Sequence, residues 1–211
     1  MNLEGYFSQD ESDEGYFLSL SERGWHSYLD AVDSEAGKFF RLFIESRSIS
    51  NHLDMIFAEM KWKKVIFDGC DCPNEDGVEV VTFHKNPVLI ASKAIFFFIE
   101  RIWDVLVAEE KGLSAGTCWR FAKIIASMRE EMLSGIASVD SCEYILGICH
   151  FKNVVAAVND VLSSMWKLPK PGAKVNGFTN DFTVSLFDIR ELAWQSIVMC
   201  NISEKRYNEG S

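Results

Sequence analysis

The chain lacks long hydrophobic runs and the short motifs that mark the commonest nucleotide-binding and hydrolytic enzymes. It has no Gly-x-Gly-x-x-Gly, no Gly-x4-Gly-Lys-Ser/Thr, no Gly-x-Ser-x-Gly and no His-Glu-x-x-His. In its most apolar stretch, 88–107, the longest run without a charge extends only from Ala94 to Ile99. A membrane-spanning helix needs ~20 predominantly apolar residues. These absences argue against a membrane protein and remove the commonest enzyme classes without excluding catalysis.

Lysine and arginine are missing from residues 1–22, so the negative charge is unevenly distributed. This segment contributes −6 to the formal net charge of −10, which leaves 25 acidic against 21 basic residues elsewhere. Binding to nucleic-acid phosphates needs a basic surface, and this balance argues against it. An acidic protein is better suited to a basic protein partner, whose approach its charge would steer.

The acidic N-terminal arm, 1–22, carries Glu-Gly-Tyr-Phe twice, at 4–7 and at 14–17. Either the arm is disordered and folds onto a partner, or its aromatic pairs dock on the chain's own domain, which we favour. If it meets a partner, the expected contact residues are aromatic anchors and neighbouring acids: Tyr6, Phe7, Tyr16, Phe17, Glu11, Asp13 and Glu14.

Apolar residues recur at threes and fours over 34–61, 87–110, 114–133, 141–167 and from Thr179 onward. The last of these patterns includes Trp194 and Val198. A polar patch around Ser48 makes 34–61 either one long helix or two shorter ones. The sequence therefore predicts a mainly α protein, a bundle of five to six helices in a single domain, 23–205.

Two β-type runs, 65–67 and 78–83, flank a turn-rich segment and predict a small β-hairpin at about 65–83. Cys70 and Cys72 lie in this loop and His84 follows it, which makes them a weak candidate zinc site. The Cys-x-Cys spacing is tighter than that of structural zinc sites and a fourth ligand is not evident, so we expect no metal or cofactor. A linker is predicted at 168–177 and a frayed tail at 206–211.

The cysteines bear on the compartment. No secretory signal is visible at the N-terminus, and four of the six cysteines fall in apolar helical patterns. Since disulfides are rare without export, the sequence predicts reduced thiols and a cytoplasmic protein.

Arg47 and His52 form an Arg-x4-His motif that resembles the active motif of HEPN-type ribonucleases, which are small all-helical proteins of bacterial defence and toxin systems. The resemblance covers only this motif, with Ser48 where the family usually has Asn, Asp or His. It implies that His52 acts as a general base while Arg47 holds the scissile phosphate. On a continuous helix the two side chains would point ~140° apart, and a break near Ser48 would remove that obstacle.

Two classes of function follow. The leading hypothesis is a non-enzymatic cytoplasmic protein that neutralises or sequesters a basic protein partner, as bacterial immunity proteins do with toxins. The alternatives are a HEPN-like ribonuclease that uses Arg47 and His52, or a helical scaffold or regulatory subunit.

Overall fold

The computed structural model describes residues 22–62, 83–109, 112–165 and 173–210, without the side chains of 173–175 and 207–210. These ranges contain six α-helices: α1 (Glu22–Ser46), α2 (His52–Glu59), α3 (Pro87–Glu109), α4 (Ala115–Asp140), α5 (Tyr144–Met165) and α6 (Ala173–Gly210). A 3-10 turn, Phe83–Lys85, precedes α3. The predicted mainly helical fold is confirmed, and the described ranges contain no strand.

Side-chain caps determine where α3 and α4 begin. The side-chain oxygen of Asn86 accepts hydrogen bonds from the backbone N–H groups of Val88 at 2.9 Å and Leu89 at 3.3 Å. At the start of α4, Ser114 Oγ accepts from the backbone N–H of Thr117 at 3.1 Å. Both caps satisfy N–H groups that have no partner within the helix, so both helices start where the sequence predicts.

Helix α3 forms the centre of the bundle. It packs against α1, α4 and α6, while α5 packs against both α4 and α6. Its residues 88–96 are buried almost without interruption, so α3 is apolar on nearly all sides, as a central helix must be. The core is aromatic, and its largest fully buried side chains include Phe39, Phe43, Phe96, Phe121, Phe151 and Phe182.

Two glycines allow α4 and α5 to approach closely. A Cβ added at Gly135 would lie 2.7 Å from Cε1 of Phe151, a ring that is completely buried. A Cβ added at Gly147 would lie 2.9 Å from Cγ2 of Val139. Real Cβ atoms do not approach other atoms so closely, so the absence of a side chain at both positions sets the distance between these helices.

Helix α6 is longer than predicted. It begins at Ala173, inside the predicted linker 168–177, and continues to Gly210, through most of the predicted frayed tail. Its 38 residues span about 57 Å. Extending an existing helix costs far less than starting one, so the packed centre between Phe182 and Cys200 supports both ends.

The predicted hairpin lies outside the described residues except at Phe83, which begins the 3-10 turn instead of ending a strand. There the backbone N–H of Asn86 donates to the Phe83 carbonyl at 3.2 Å, the bond typical of this tighter helix. The acidic arm also lies outside the described residues, apart from Glu22, which is the first residue of α1.

The cysteines differ from the expectation in one respect. Cys118, Cys149 and Cys200 are free thiols, but Cys142 is disulfide-bonded, so the prediction that all cysteines are reduced is wrong at Cys142. Burial raises the pKa of the Cys200 thiol to about 12, which leaves it a small apolar core residue. Since disulfides persist mainly in oxidising compartments, Cys142 does not support the predicted cytoplasmic location.

Among the described helices, α5 alone is long and apolar enough, by length and composition, to cross a membrane. It also has the two faces of a bundle helix. Phe151, Val154 and Val158 are fully buried, whereas Lys152 and Asp160 are exposed. One apolar face packed against neighbouring helices and one polar face are typical of an amphipathic helix in a bundle.

Candidate functional site

A helix break directs Arg47 and His52 towards α6. Helix α1 ends at Ser46, whose carbonyl accepts a hydrogen bond from the backbone N–H of Ile49 at 2.9 Å. Asn51, just before α2, adopts a left-handed conformation with φ 58° and ψ 32°, which asparagine tolerates better than most residues. Of the two alternatives for 34–61, the structure has two helices with a break between them, and each of the two side chains contacts a carboxylate of α6.

His52 and Asp188 form a buried ion pair between α2 and α6. His52 Nε2 lies 3.2 Å from Asp188 Oδ1, and each side chain is only 9% exposed. The ring N–H is not aligned with Oδ1 well enough for a hydrogen bond, so the contact is an ion pair at short range. On the other side of the ring, Nδ1 donates to the Ile49 carbonyl at 3.3 Å. Two acceptors facing the two ring nitrogens favour the imidazolium form.

These contacts raise the pKa of His52 above its ordinary value of 6.5. The short contact with the Asp188 carboxylate is the largest cause, and the carboxylate's charge and the Ile49 carbonyl also raise the pKa. Burial and the positive charge of Arg47 oppose them. The other charged groups that line the neighbouring cleft are Asp54 on α2 and Arg190 and Glu191 on α6.

We expect the folded state to lose stability as the pH rises above about 6.5 because of His52. In the unfolded chain this histidine titrates near 6.5, and in the folded chain it titrates higher. Its contribution is therefore complete below the unfolded pKa and is lost as the pH rises through the folded pKa. Urea unfolding between about pH 5.5 and about pH 9 measures this. The His52→Gln variant should lose the dependence, and equal slopes in variant and wild type would contradict it.

Arg47 is held away from His52. Its Nη2 lies 2.6 Å from Asp181 Oδ1, and the guanidinium carbon lies 4.2 Å from the centroid of the Phe98 ring. Asp181 precedes Asp188 by two helical turns, which is ~10 Å along α6. The charged ends of Arg47 and His52 therefore occupy positions two turns apart and do not converge on one phosphate in this structure.

An open cleft of about 260 Å³ separates the first turn of α2 from the middle of α6. Asp54, Asp188 and Glu191 line it, together with His52 and Arg190. With His52 protonated, three carboxylates face two cations, a net charge of −1. Asp188 Oδ2 is buried and has no hydrogen-bond partner among the described residues. Buried carboxylate oxygens in proteins nearly always have a donor, so Asp188 keeps an acceptor that no described residue uses.

The outer face of α6 carries an apolar stripe, which we call the α6 stripe: Phe187, Trp194, Val198 and Ile202. Spacings of seven, four and four residues place these side chains on one side of the helix, over ~22 Å. Trp194 is 56% exposed, and the other three are 40–45% exposed. Phe187 also lines the cleft, so the stripe and the cleft form one continuous surface.

The sequence pointed to some residues of this region and not to others. It identified Arg47 and His52, but neither Asp181 nor Asp188, and it counted Trp194 as part of the apolar pattern of the last helix. One sequence signal was available: α6 has apolar residues on two opposite faces, and one helix face is enough to join a bundle.

The other predicted site residues are not brought together within the described structure. The arm residues Tyr6, Phe7, Tyr16, Phe17, Glu11, Asp13 and Glu14 lie outside it, as do Cys70 and Cys72. His84 is exposed in the 3-10 turn and contacts the rings of Tyr28 and Phe83. Within the described ranges, no group of three or more His, Cys, Asp or Glu residues could hold a metal ion.

A second histidine–carboxylate contact connects α4 and α5 at the surface. His150 Nδ1 donates to Glu131 Oε2 at 2.8 Å, and Asn153 Nδ2 donates to the same oxygen at 3.1 Å. The His150 bond, followed by the Asn153 bond, lowers the pKa of Glu131. All three residues are partly or fully exposed, so we interpret this cluster as a bridge between helices.

No protein-family model, curated protein or solved structure matches the chain, so the geometry described above is the basis for its function.

Proposed function

We propose that the chain is a non-enzymatic binding protein that neutralises or sequesters a basic protein partner, in the manner of bacterial immunity proteins that bind toxins. The observation that carries this proposal is the α6 stripe beside an acidic cleft. Exposed apolar patches rimmed by polar residues mark protein–protein interfaces. The stripe also contains tryptophan, one of the residue types enriched among those that dominate binding energy.

Charge supports a basic partner. The chain carries −10 overall, and the cleft that borders the α6 stripe has more carboxylates than cations. An acidic surface next to an apolar one attracts a basic protein during the encounter, and the apolar contacts then slow its dissociation. The acidic arm, 1–22, stays a prediction as a second contact region, and so does the cytoplasmic location.

The HEPN-like ribonuclease remains the second candidate, because the break between α1 and α2 places Arg47 and His52 on the same side of the bundle. Each is already paired with a carboxylate of α6, and the pairs are two turns apart. Catalysis would need both pairs to open and the cleft to accept a phosphate. A scaffold or regulatory subunit would use the α6 stripe in the same way as the proposed binding protein.

We expect Trp194→Ala to weaken binding to the partner by about 30-fold, because truncating a central interface tryptophan typically costs about 2 kcal/mol or more. The partner is the basic protein that copurifies in equal amounts with the tagged chain from its native cells, and its affinity is then measured with purified components. Trp119→Ala is the matched control. Trp119 is 74% exposed, but it lies on α4, away from the stripe.

Two results would contradict the proposal. Equal effects of the two tryptophan substitutions would remove the α6 stripe from the interface. Cleavage of RNA by the purified chain, abolished by both Arg47→Ala and His52→Ala, would establish the ribonuclease instead.

A further inference from the structure

We infer that the cleft between α2 and α6 binds a guanidinium group, with the carboxylates of Asp188 and Glu191 as its acceptors, and that an arginine of the protein partner supplies this group. The source of the arginine rests on the proposed function. The chemistry of the cleft does not, since it follows from the residues that line it.

The size of the cleft suits a single side chain. Pockets that hold cofactors or drug-sized ligands are typically about 300–1,000 Å³. At about 260 Å³, this cleft is smaller. It opens beside the α6 stripe, where a partner's backbone would lie, so a side chain can enter from the docked surface.

The chemistry of the cleft suits a cation that donates hydrogen bonds. Asp188 Oδ2 is buried and has no donor among the described residues, while Oδ1 of the same carboxylate faces His52. Glu191 accepts from Gln195 Nε2 at 2.9 Å through one oxygen, Oε1. Guanidinium carries five N–H donors in a planar arrangement, which suits two carboxylates that line one cleft three residues apart on α6.

The one arginine that lines the cleft does not fill this role. The guanidinium carbon of Arg190 lies 4.8 Å from the centroid of the Phe187 ring. Its Nη1 is directed towards α5, where it lies 3.5 Å from the side-chain oxygen of Asn159. Arg190 therefore leaves Asp188 Oδ2 without a donor, and its stacking shows that Phe187 already supports one guanidinium at the rim.

The test uses N-acetyl-arginine amide as the probe and N-acetyl-citrulline amide as its uncharged, nearly isosteric control. Titration at low salt is followed by NMR through the ring signals of His52. We expect the arginine amide to bind in about the millimolar range and the citrulline amide to bind at least about tenfold more weakly. N-acetyl-lysine amide should bind between the two, since an ammonium offers fewer donors in one plane.

Two variants locate the site. Asp188→Asn should weaken binding of the arginine amide by about tenfold or more, and Asp181→Asn, on the same helix but outside the cleft, should not change it. If Asp188→Asn does not fold, Glu191→Gln replaces it, because Glu191 is exposed and its loss should still weaken binding about threefold.

A third readout separates the cleft from other acidic surfaces. A guanidinium beside Asp188 repels the imidazolium of His52, so saturation with the arginine amide should lower the pKa of His52. Asp54, Arg190 and Glu191 line the same cleft and the charge of Arg47 also lowers the pKa of His52, but these groups are the same with and without the probe. An unchanged His52 pKa at saturation would place the probe elsewhere and overturn the inference.

The inference also fails if the arginine and citrulline amides bind alike, if no binding occurs, or if Asp188→Asn and Asp181→Asn have the same effect. Its failure is distinguishable from that of the proposed function. A partner that depends on Trp194 but not on Asp188 or Glu191 sinks only the inference. An arginine-binding cleft in a chain that has no protein partner sinks only the proposed function.

Discussion

Truncating Phe151 to alanine is expected to lower the free energy of unfolding by about 3–5 kcal/mol, one of the two largest effects of a single substitution that we predict. The Phe151 ring is completely buried on α5 and lies against Gly135 of α4. Its loss leaves a cavity between α4 and α5. These helices already pack closely, so they cannot move together to fill it. Urea or thermal unfolding of the purified variant measures the change.

The same contact predicts that Gly135→Ala lowers stability when Phe151 is present and raises it when Phe151 is truncated. In the wild type, Gly135→Ala should destabilise by about 1–3 kcal/mol, because the new Cβ would lie 2.7 Å from Cε1 of Phe151. When Phe151 is already alanine, or leucine if the alanine variant does not fold, the same methyl group fills part of the cavity. There Gly135→Ala should stabilise by about 0.5–1 kcal/mol, since alanine favours the helix.

Gly37→Ala is the control for helix propensity. Gly37 is exposed on α1, and a Cβ added there would meet nothing within 4 Å. Alanine should stabilise at this position by up to about 1 kcal/mol. If Gly135→Ala has the same effect in both backgrounds, the close approach of α4 and α5 is not what makes glycine necessary there.

The sequence predicted the helices, and its polar patch made a break between α1 and α2 one of two alternatives, because both are local properties. Ser48 and its polar neighbours interrupt the apolar period within a few residues, and the chain bends there. Asp188 could not be found in this way. Its pairing with His52 joins residues that are far apart in the sequence, and it depends on how α6 crosses α2.

The sequence also did not determine which face of α6 is buried in the core. Its apolar residues form two sets, one with Leu186, Ile189 and Ile197 and one with Trp194 and Val198, and both fit a helical period. Periodicity alone does not say which set faces the core when a helix carries two. The structure buries the first set and exposes the second, so the missed interface is a consequence of the bundle's packing.

Removing His52 is expected to destabilise the protein by about 3 kcal/mol near pH 6, where the histidine is protonated. His52→Ala leaves the Asp188 carboxylate buried without a cation beside it, and breaking a buried pair in this way typically costs about 3–5 kcal/mol. We expect the lower end because the cleft admits water next to the pair. Urea unfolding of the variant and the wild type at the same pH measures the difference.

The pair between Arg47 and Asp181 is the comparison. The Arg47 side chain is 14% exposed and the Asp181 side chain 40%, so this pair is less buried than His52 and Asp188, and Asp181→Asn should cost less than His52→Ala. Similar costs for Asp181→Asn and His52→Ala would contradict the distinction between a fully buried pair and a partly exposed one.

Replacing both His52 and Asp188 with leucine should restore most of the stability that His52→Ala loses, because apolar residues of similar volume often match or exceed a buried ion pair. The same double variant should no longer bind the arginine amide, since it lacks the carboxylate of Asp188. A variant that folds like the wild type but has lost the ligand would show that this pair contributes more to recognition than to stability. A double variant as unstable as His52→Ala alone would show instead that the charges themselves hold α2 against α6.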